Sequence, residues 1–284
     1  MKLPSVTIKQ LLEAGVHLGH KTFRWNPKMS KFIFGSKDSI HIIDLVQTLE
    51  LTDAALKEIH KCISSGGKIL FVSTKKQASD TVSTLAKDTS QYYVNHRWLG
   101  GMLTNWKTIS NSISRYKKLT EDLKKENTGF TKKEILKMGI QRDKLERSLG
   151  GISNMKKTPD MIFIIDTNVE SLAVKEAQKL NIPIVAIVDT NSNPIGIDFP
   201  IPGNDDARRA INLYCELVRQ TVLDAQKNIS IPELKETKKE EEVKKEVKDI
   251  QIEKKKEEPK KNITKKKTTS IISKIKKLAS KKTK

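Results

Sequence analysis

The chain has 284 residues, of which 36% are hydrophobic and 31% are charged, and its formal net charge is +20. A charge surplus of this size predicts a polyanionic partner, which is either nucleic acid or an anionic membrane surface. No apolar run approaches the roughly 18 residues of a membrane-spanning helix, and the N-terminus lacks the apolar core of a secretory signal, so we expect no membrane insertion.

The N-terminal part of the chain contains short predicted elements around a polar loop. Residues 7–15 are predicted to form a short helix, because Thr7 can cap its start and Gly15 can end it. Residues 17–31 are dense in polar, aromatic and basic side chains, which favours a loop. After this loop we predict a pair of short strands and then a long helix, at residues 32–35, 40–43 and 45–64.

Beyond residue 67, strand-like and helix-like segments alternate. The strand segments are apolar throughout, which is typical of parallel strands that are covered on both faces. We therefore predict an α/β core with a doubly wound, mostly parallel sheet of the flavodoxin-like or Rossmann-like type, formed by residues 1–104 and 151–229. Its strands are predicted at 68–73, 91–94, 161–166 and 183–189, and its helices at 75–88, 169–180 and 204–228.

Residues 105–150 interrupt this alternation with a helical pattern. Apolar residues recur at steps of three and four on both sides of the turn-forming segment 127–129. This pattern predicts an inserted antiparallel helical hairpin with a coiled-coil seam. Arg142 occupies one position of the seam, and it weakens the seam unless its guanidinium group reaches the edge.

The C-terminal residues 230–284 form a Lys/Glu-rich tail. From residue 233 onward there are 20 lysines against 10 acidic residues, so this tail carries +10 of the total charge of +20. It holds too little apolar surface to offset the entropy of ordering, and we predict that it is disordered. The alternative is a short basic amphipathic helix that forms on contact with RNA or lipid, with apolar residues at 271, 272, 275 and 278.

The segment 95–106 has the composition of an RNA-binding loop. Its glycine pair, Gly100-Gly101, allows the backbone to approach another surface closely. Guanidinium and imidazole groups supply hydrogen-bond donors, and indole rings can stack on bases or support the loop. The side chains that offer these groups are His96, Arg97 and Trp98.

Two further segments carry cations in positions that suit RNA. Residues 23–28 interleave aromatic and basic side chains, although Trp25 can equally anchor the loop in the core. The segment after the first core strand lacks the GxGxxG motif of a dinucleotide site. Lys75 and Lys76 lie there instead, at the N-terminus of the next predicted helix, where they either bind phosphates or are solvated surface lysines. The complete set of candidate RNA-binding residues is Lys21, Arg24, Trp25, Lys28, Lys75, Lys76, His96, Arg97, Trp98 and Arg115.

Several acidic and imidazole side chains raise the alternative of a metal site or an enzyme. We predict no cofactor, but His17, Asp189 and Asp205 form a candidate site for Zn²⁺ or Mg²⁺. Asp166 with these two aspartates would suit phosphoryl transfer. The favoured alternative is structural, because Asp at strand ends also caps loops and helices.

Seven motifs occur together along the chain. They are VHLGH (16–20), WNPKM (25–29), IHIIDL (40–45), NHRWLGG (95–101), GGI (150–152), IVDTN (187–191) and IPGNDDA (201–207). In this order they resemble the small-subunit ribosomal protein two family in its bacterial form, over about residues 5 to 228. The tail lies outside this resemblance.

The resemblance implies a set of properties for the chain. It implies an α/β domain with a projecting coiled-coil hairpin, without catalytic activity or a small-molecule substrate. It also implies a cytoplasmic, ribosome-bound protein on the solvent side of the small subunit, near the junction of head and body. The implied partners are small-subunit ribosomal RNA and neighbouring ribosomal proteins, including the mRNA-binding ribosomal protein one, which the family helps to dock.

Overall fold

The computed structural model describes residues 4–124 and 130–227, and its N-terminal part forms a small antiparallel sheet. Strands β1, β2 and β3 pair in the order β1-β3-β2. The prediction of a loop over residues 17–31 was wrong in one respect, because this segment contains β1 and two 3-10 turns. The elements of this part are α1 (Ile8–Glu13), β1 (Leu18–Lys21), β2 (Ile33–Lys37), β3 (Ile40–Ile43) and α2 (Leu45–Ser64).

Five parallel strands form the central sheet. Their spatial order is β5-β4-β6-β7-β8, which is the doubly wound order 2-1-3-4-5 when these strands are counted alone. The predicted α/β class with a parallel sheet is therefore confirmed. The strands are β4 (Ile69–Val72), β5 (Tyr92–Val94), β6 (Met161–Ile164), β7 (Ile184–Val188) and β8 (Phe199–Pro202).

Strand β8 was not predicted, and its composition explains why. It contains Pro200 and Pro202, which cannot donate a backbone hydrogen bond. The strand lies at the edge of the sheet, where this loss is tolerated on the unpaired side. Asp198 helps to fix its register, because Oδ2 accepts a hydrogen bond from Ile184 N at 2.9 Å.

Helices cover both faces of the central sheet. Because successive side chains of a strand point to opposite faces, each strand contributes to two cores. Phe71 and Phe163 pack in a first core, beneath α1, α2, α3 (Lys76–Asp88) and α7 (208–227), whereas Leu70 and Ile162 pack in a second core, which includes α6 (Ser171–Lys179). The helices of the central domain are α3 (Lys76–Asp88), α6 (Ser171–Lys179) and α7, which covers 208–227 of the described residues.

Two helices, α4 (Trp106–Asp122) and α5 (Lys132–Leu149), occupy the region of the predicted hairpin and pack on each other. Their bases join the second core through Ile109 and Leu149. Arg142 reaches the edge, where its guanidinium pairs with Asp143. The predicted turn at 127–129 and the predicted disordered tail at 230–284 lie outside the described residues, and the coiled-coil geometry stays a prediction. None of the described helices is long and apolar enough to cross a bilayer.

Candidate nucleic-acid interface

Residues 95–105, which we call the Gly-Gly loop, are held by one carboxylate on α6. Glu176 Oε1 accepts hydrogen bonds from Trp98 Nε1 at 3.1 Å and Gly101 N at 2.8 Å. Its Oε2 accepts from Leu103 N at 2.9 Å, Thr104 N at 3.1 Å and Thr104 Oγ1 at 3.2 Å. Five donors from the loop therefore converge on a single side chain.

We call the five hydrogen bonds to Glu176 the Glu176 clamp, and its electrostatics favour the charged carboxylate. Partial burial acts to raise the pKa of Glu176, but the hydrogen bonds from the loop outweigh burial and bring that pKa below its ordinary value. Glu176 is thus ionised at neutral pH. Sequence inspection missed it, because an acid on an exposed helix is separated from its loop partners by more than 70 positions and gives no local signal.

The loop backbone depends on glycine at one position and on close packing at another. Gly101 has a φ of +80°, a left-handed conformation that side chains rarely adopt. A Cβ at Gly151, in the 3-10 turn after α5, would lie 2.1 Å from the carbonyl oxygen of Tyr93. The strand that leads into the loop and the 3-10 turn at 150–152 are therefore in direct backbone contact.

The Gly-Gly loop presents two of its three candidate side chains to solvent. His96 and Arg97 are exposed, whereas Trp98 is only 8% exposed and belongs to the second core. Since its Nε1 is also bonded to Glu176, Trp98 has the supporting role that was one of the two expectations for it. The outward groups of the loop are thus one imidazole and one guanidinium.

The candidates in the N-terminal segment all lie at the surface. Lys21, Arg24 and Lys28 are exposed, and Trp25 is 39% exposed with its ring centroid 5.3 Å from that of His41. The backbone here is fixed to the central domain, because Asn26 N donates to Thr190 O at 2.8 Å. We call Lys21, Arg24, Trp25 and Lys28 the N-terminal cationic surface.

Two further candidates are also exposed. Lys76 occupies the first turn of α3, and Arg115 lies on the outside of α4. The Arg115 guanidinium donates to Gln141 Oε1 of α5 at 3.4 Å, which connects the two helices of the hairpin region. Both cations can reach a phosphate without leaving a buried partner.

Lys75 differs from the other cations, because it turns inward at the carboxyl ends of the parallel strands. Its Nζ lies 3.1 Å from Asp166 Oδ2, 2.9 Å from Asp205 Oδ1 and 2.6 Å from Asp206 Oδ1. Burial acts to lower the pKa of Lys75, but these carboxylates raise it above its ordinary value. A lysine so enclosed has little capacity for RNA phosphates, and we leave it out of the interface proposed below.

The cluster of acidic and imidazole side chains around Lys75, which we call the pocket, includes the residues that can hold a metal ion. Donor atoms of His20, Asp189 and Asp205 lie within 4.8 Å of one another, so His20 takes the place that we expected for His17. His17 lies in the turn before β1, whereas His20 lies within β1. Within the described residues, His17 Nδ1 is buried and has no hydrogen-bond partner.

The pocket is already rich in internal contacts. His20 Nδ1 lies 3.0 Å from Asp189 Oδ2, and this contact raises the pKa of His20 despite the opposing effect of burial. Burial and the charges of Asp166 and Asp189 raise the pKa of Asp205 to about 7, against the opposing effect of Lys75. Among the described residues, Asp205 Oδ2 is buried without a hydrogen-bond partner, so an oxygen ligand is available to a cation.

The aspartates also confirm the structural role that the sequence favoured. Asp166 Oδ1 accepts hydrogen bonds from Asn168 N at 2.8 Å and Val169 N at 3.1 Å, which closes the turn before α6. Asp189 Oδ1 accepts from the backbone and hydroxyl groups of Thr190. The charges that an enzyme would use are therefore engaged in holding loops and in pairing with Lys75 and His20.

Comparison with known proteins identifies the family. The family model "Ribosomal protein S2" matches residues 11–225. The chain is 59% identical over 224 residues to "Small ribosomal subunit protein uS2" of Parvibaculum lavamentivorans, which covers 79% of this chain and 88% of the relative. The protein of the same name from Chelativorans is 58% identical, with 79% of this chain and 84% of the relative covered. The chain belongs to the ribosomal protein S2 family.

Proposed function

We propose that the chain is a structural, non-enzymatic constituent of the small ribosomal subunit, which binds small-subunit ribosomal RNA and neighbouring ribosomal proteins in the cytoplasm. The observation that carries this proposal is the family match over residues 11–225. The relatives that share 58–59% identity carry the name of a small-subunit protein. The net charge of +20 supports a polyanionic partner.

The RNA contact is formed by two groups of side chains. The first is the N-terminal cationic surface, and the second is the pair His96 and Arg97 on the Gly-Gly loop. Both groups are exposed on backbone that is fixed to the central domain, so little ordering entropy is lost when RNA binds. Lys76 and Arg115 supply further phosphate contacts. Affinity comes mainly from phosphate neutralisation and the release of counterions.

Contact with neighbouring proteins, including ribosomal protein one, is proposed for the small antiparallel sheet and its turns. Phe34 on β2 is 80% exposed and Phe23 is 74% exposed. Large aromatic groups left open to water mark surfaces that a partner covers. Arg24 lies 5.5 Å from the Phe23 ring, so this region combines apolar and cationic groups.

A divalent metal, either Zn²⁺ or Mg²⁺, would be held by His20, Asp189 and Asp205. The unpartnered Oδ2 of Asp205 and the imidazole of His20 fit such an ion, although Lys75 already supplies one positive charge to the pocket. A bound ion would tie β1 to the carboxyl ends of β7 and β8. Its effect is therefore structural rather than chemical.

The test of the RNA contact is a triple substitution of exposed cations. Arg24, Lys28 and Arg97 are changed together to alanine, and the full chain is followed into small subunits by sucrose-gradient sedimentation. We expect the variant to remain near the top of the gradient. The matched control changes Lys57, Lys61 and Lys179 to alanine, which removes the same charge from other exposed positions.

The control separates a specific contact from a general effect of charge. We expect the control variant to co-sediment with the small subunit as the unchanged chain does. Normal incorporation of the Arg24, Lys28 and Arg97 variant would refute the proposed interface. Failure of the unchanged chain to co-sediment with small subunits would refute the function itself.

A further inference from the structure

A cavity of about 760 Å³ lies between the Gly-Gly loop, α5 and α6, and the RNA contact accounts for only its His96 and Arg97 side. Its open walls are aliphatic, because Ile140 on α5 is 62% exposed and Leu172 on α6 is 54% exposed. Leu136, one helical turn before Ile140, is 66% exposed. These three side chains form an apolar strip that runs from the hairpin helix into the cavity, and we call the strip and the cavity the α5–α6 groove.

The apolar strip is not needed to hold the hairpin helices together. The apolar side chains of α5 that are half-buried or buried are Met138, Leu145 and Leu149. Leu136 and Ile140 lie on another face of the helix and gain nothing from α4. Helix α5 thus carries two apolar faces, and one of them is open to water, which marks a surface for a partner.

The charge at the rim of the groove is positive. Arg97, Lys144 and Arg147 line the cavity, and within the described residues none of them has a carboxylate within 4.0 Å. The acid that lines the cavity, Asp143, pairs with Arg142 of the same helix. The partner that complements this rim carries carboxylates or phosphates.

The apolar strip distinguishes a protein partner from RNA. Bases of RNA stack on aromatic rings and guanidinium planes. The indole in the lining, Trp98, is only 8% exposed, whereas the side chains open to water along the strip are Leu136, Ile140 and Leu172. The spacing of Leu136 and Ile140, one turn apart on a helix, suits a second helix that is laid alongside with apolar residues at steps of three and four.

We propose that the α5–α6 groove binds an acidic amphipathic helix of a neighbouring small-subunit protein. The apolar face of that helix covers Leu136, Ile140 and Leu172, and its carboxylates pair with Lys144 and Arg147. This inference rests on the proposed function, because it requires that the chain is bound in the small subunit. It adds a protein contact along α5 and α6, beside the loop whose His96 and Arg97 bind RNA.

Site-directed photo-crosslinking in assembled small subunits tests the groove. The full chain is made as two variants, Leu172→p-benzoyl-phenylalanine and Ile140→p-benzoyl-phenylalanine, and small subunits that contain each are irradiated. We expect both positions to crosslink to one protein, and mass spectrometry to map the site to an acidic segment with apolar residues at steps of three and four. Leu180→p-benzoyl-phenylalanine, which is exposed outside the groove, is the control.

Charge reversal makes the test quantitative. Lys144→Glu with Arg147→Glu in the Leu172 crosslinking background is expected to lower the crosslink yield about fivefold or more, because like charges then face each other. The same double reversal at Lys117 and Lys118 on α4 should leave the yield unchanged.

The outcomes separate the groove from the proposed function. Crosslinks to RNA alone, to a segment without acidic residues, or no crosslink above the Leu180 control would overturn the groove proposal while the chain remains in the small subunit. If neither the groove variants nor the unchanged chain are found in small subunits, the proposed function is overturned, and the groove proposal falls with it.

Discussion

Replacing Glu176 with glutamine should loosen the Gly-Gly loop without removing any of its outward side chains. Glutamine retains one acceptor oxygen and turns an amide donor toward the remaining loop donors. Of the five hydrogen bonds that Glu176 accepts, two or three are therefore lost. The same change removes the negative charge that strengthens the others.

The magnitude follows from the number of bonds and from their partial exposure. A hydrogen bond to a charged group contributes about 1.5–3 kcal/mol when it is buried and about 1 kcal/mol when it is near solvent. Losing two or three bonds, with weakening of the rest, should cost about 2–4 kcal/mol of loop stability. Because about 1.4 kcal/mol corresponds to a factor of ten, amide-exchange protection should fall by about thirtyfold to several hundredfold.

Hydrogen exchange of the backbone amides of Gly101, Leu103 and Thr104 in the full chain is the direct assay. Protection of these amides should fall in Glu176→Gln, while protection of β4 and β6 stays close to that of the unchanged chain. Glu50→Gln, an exposed acid on α2, is the matched control and should change nothing. Binding to small-subunit ribosomal RNA should weaken in Glu176→Gln, since Arg97 loses its fixed position.

The pH dependence gives the sign of the effect independently. The pKa of Glu176 in the folded state lies below its ordinary value of 4.5, so the clamp is fully formed above that pH and is lost as the pH falls through the folded pKa. In Glu176→Gln, the protection of the loop amides should not change with pH through the titration of residue 176. Equal protection of the loop amides in both proteins at neutral pH would refute the clamp.

Three further changes test the packing around the interface. Lys75→Ala should lower the free energy of unfolding by about 3–5 kcal/mol in urea denaturation, because buried carboxylates lose their cation, and a loss below about 1 kcal/mol would contradict the ion-pair cluster. Gly151→Ala should lower the free energy of unfolding by about 2 kcal/mol or more in the same assay, because its Cβ would meet a carbonyl oxygen at 2.1 Å. Gly100→Ala, which has open space around it, is the control. Equal stability of the two variants would contradict this account. Added Zn²⁺ should raise the Tm of the full chain and of His17→Ala but not of His20→Ala. A rise in Tm for His20→Ala together with no rise for His17→Ala would contradict the corrected ligand set.

The central sheet was predictable because burial leaves a direct mark on the sequence. Ile69–Val72, Met161–Ile164 and Ile184–Val188 are buried at every position, and only uniformly apolar segments satisfy that environment. Strand β8 escaped prediction because its prolines are allowed only by its edge position. That position is a property of the assembled sheet and is invisible in the segment itself.

The exposure of the candidate segments could be predicted from the sequence, but their individual contacts could not, and their binding to RNA stays a prediction. The glycine pair and its flanking cations mark the Gly-Gly loop, and the structure leaves Arg97 outward as RNA binding requires. Glu176 and the inward turn of Lys75 depend on partners far away in the chain, and no local pattern encodes them. Whether a cation meets a phosphate or a carboxylate is decided by the tertiary fold.

The salt dependence of binding tests the central claim most directly. The affinity of the purified full chain for small-subunit ribosomal RNA is measured over a range of salt concentrations, for the unchanged chain and for the variant with alanine at Arg24, Lys28 and Arg97. Each phosphate contact contributes about 0.7 to 0.9 to the slope of log K against log salt. We predict that the variant loses about two to three units of slope and that the Lys57, Lys61 and Lys179 control loses less than one. A variant with the slope of the unchanged chain would contradict the claim that these cations bind the RNA backbone.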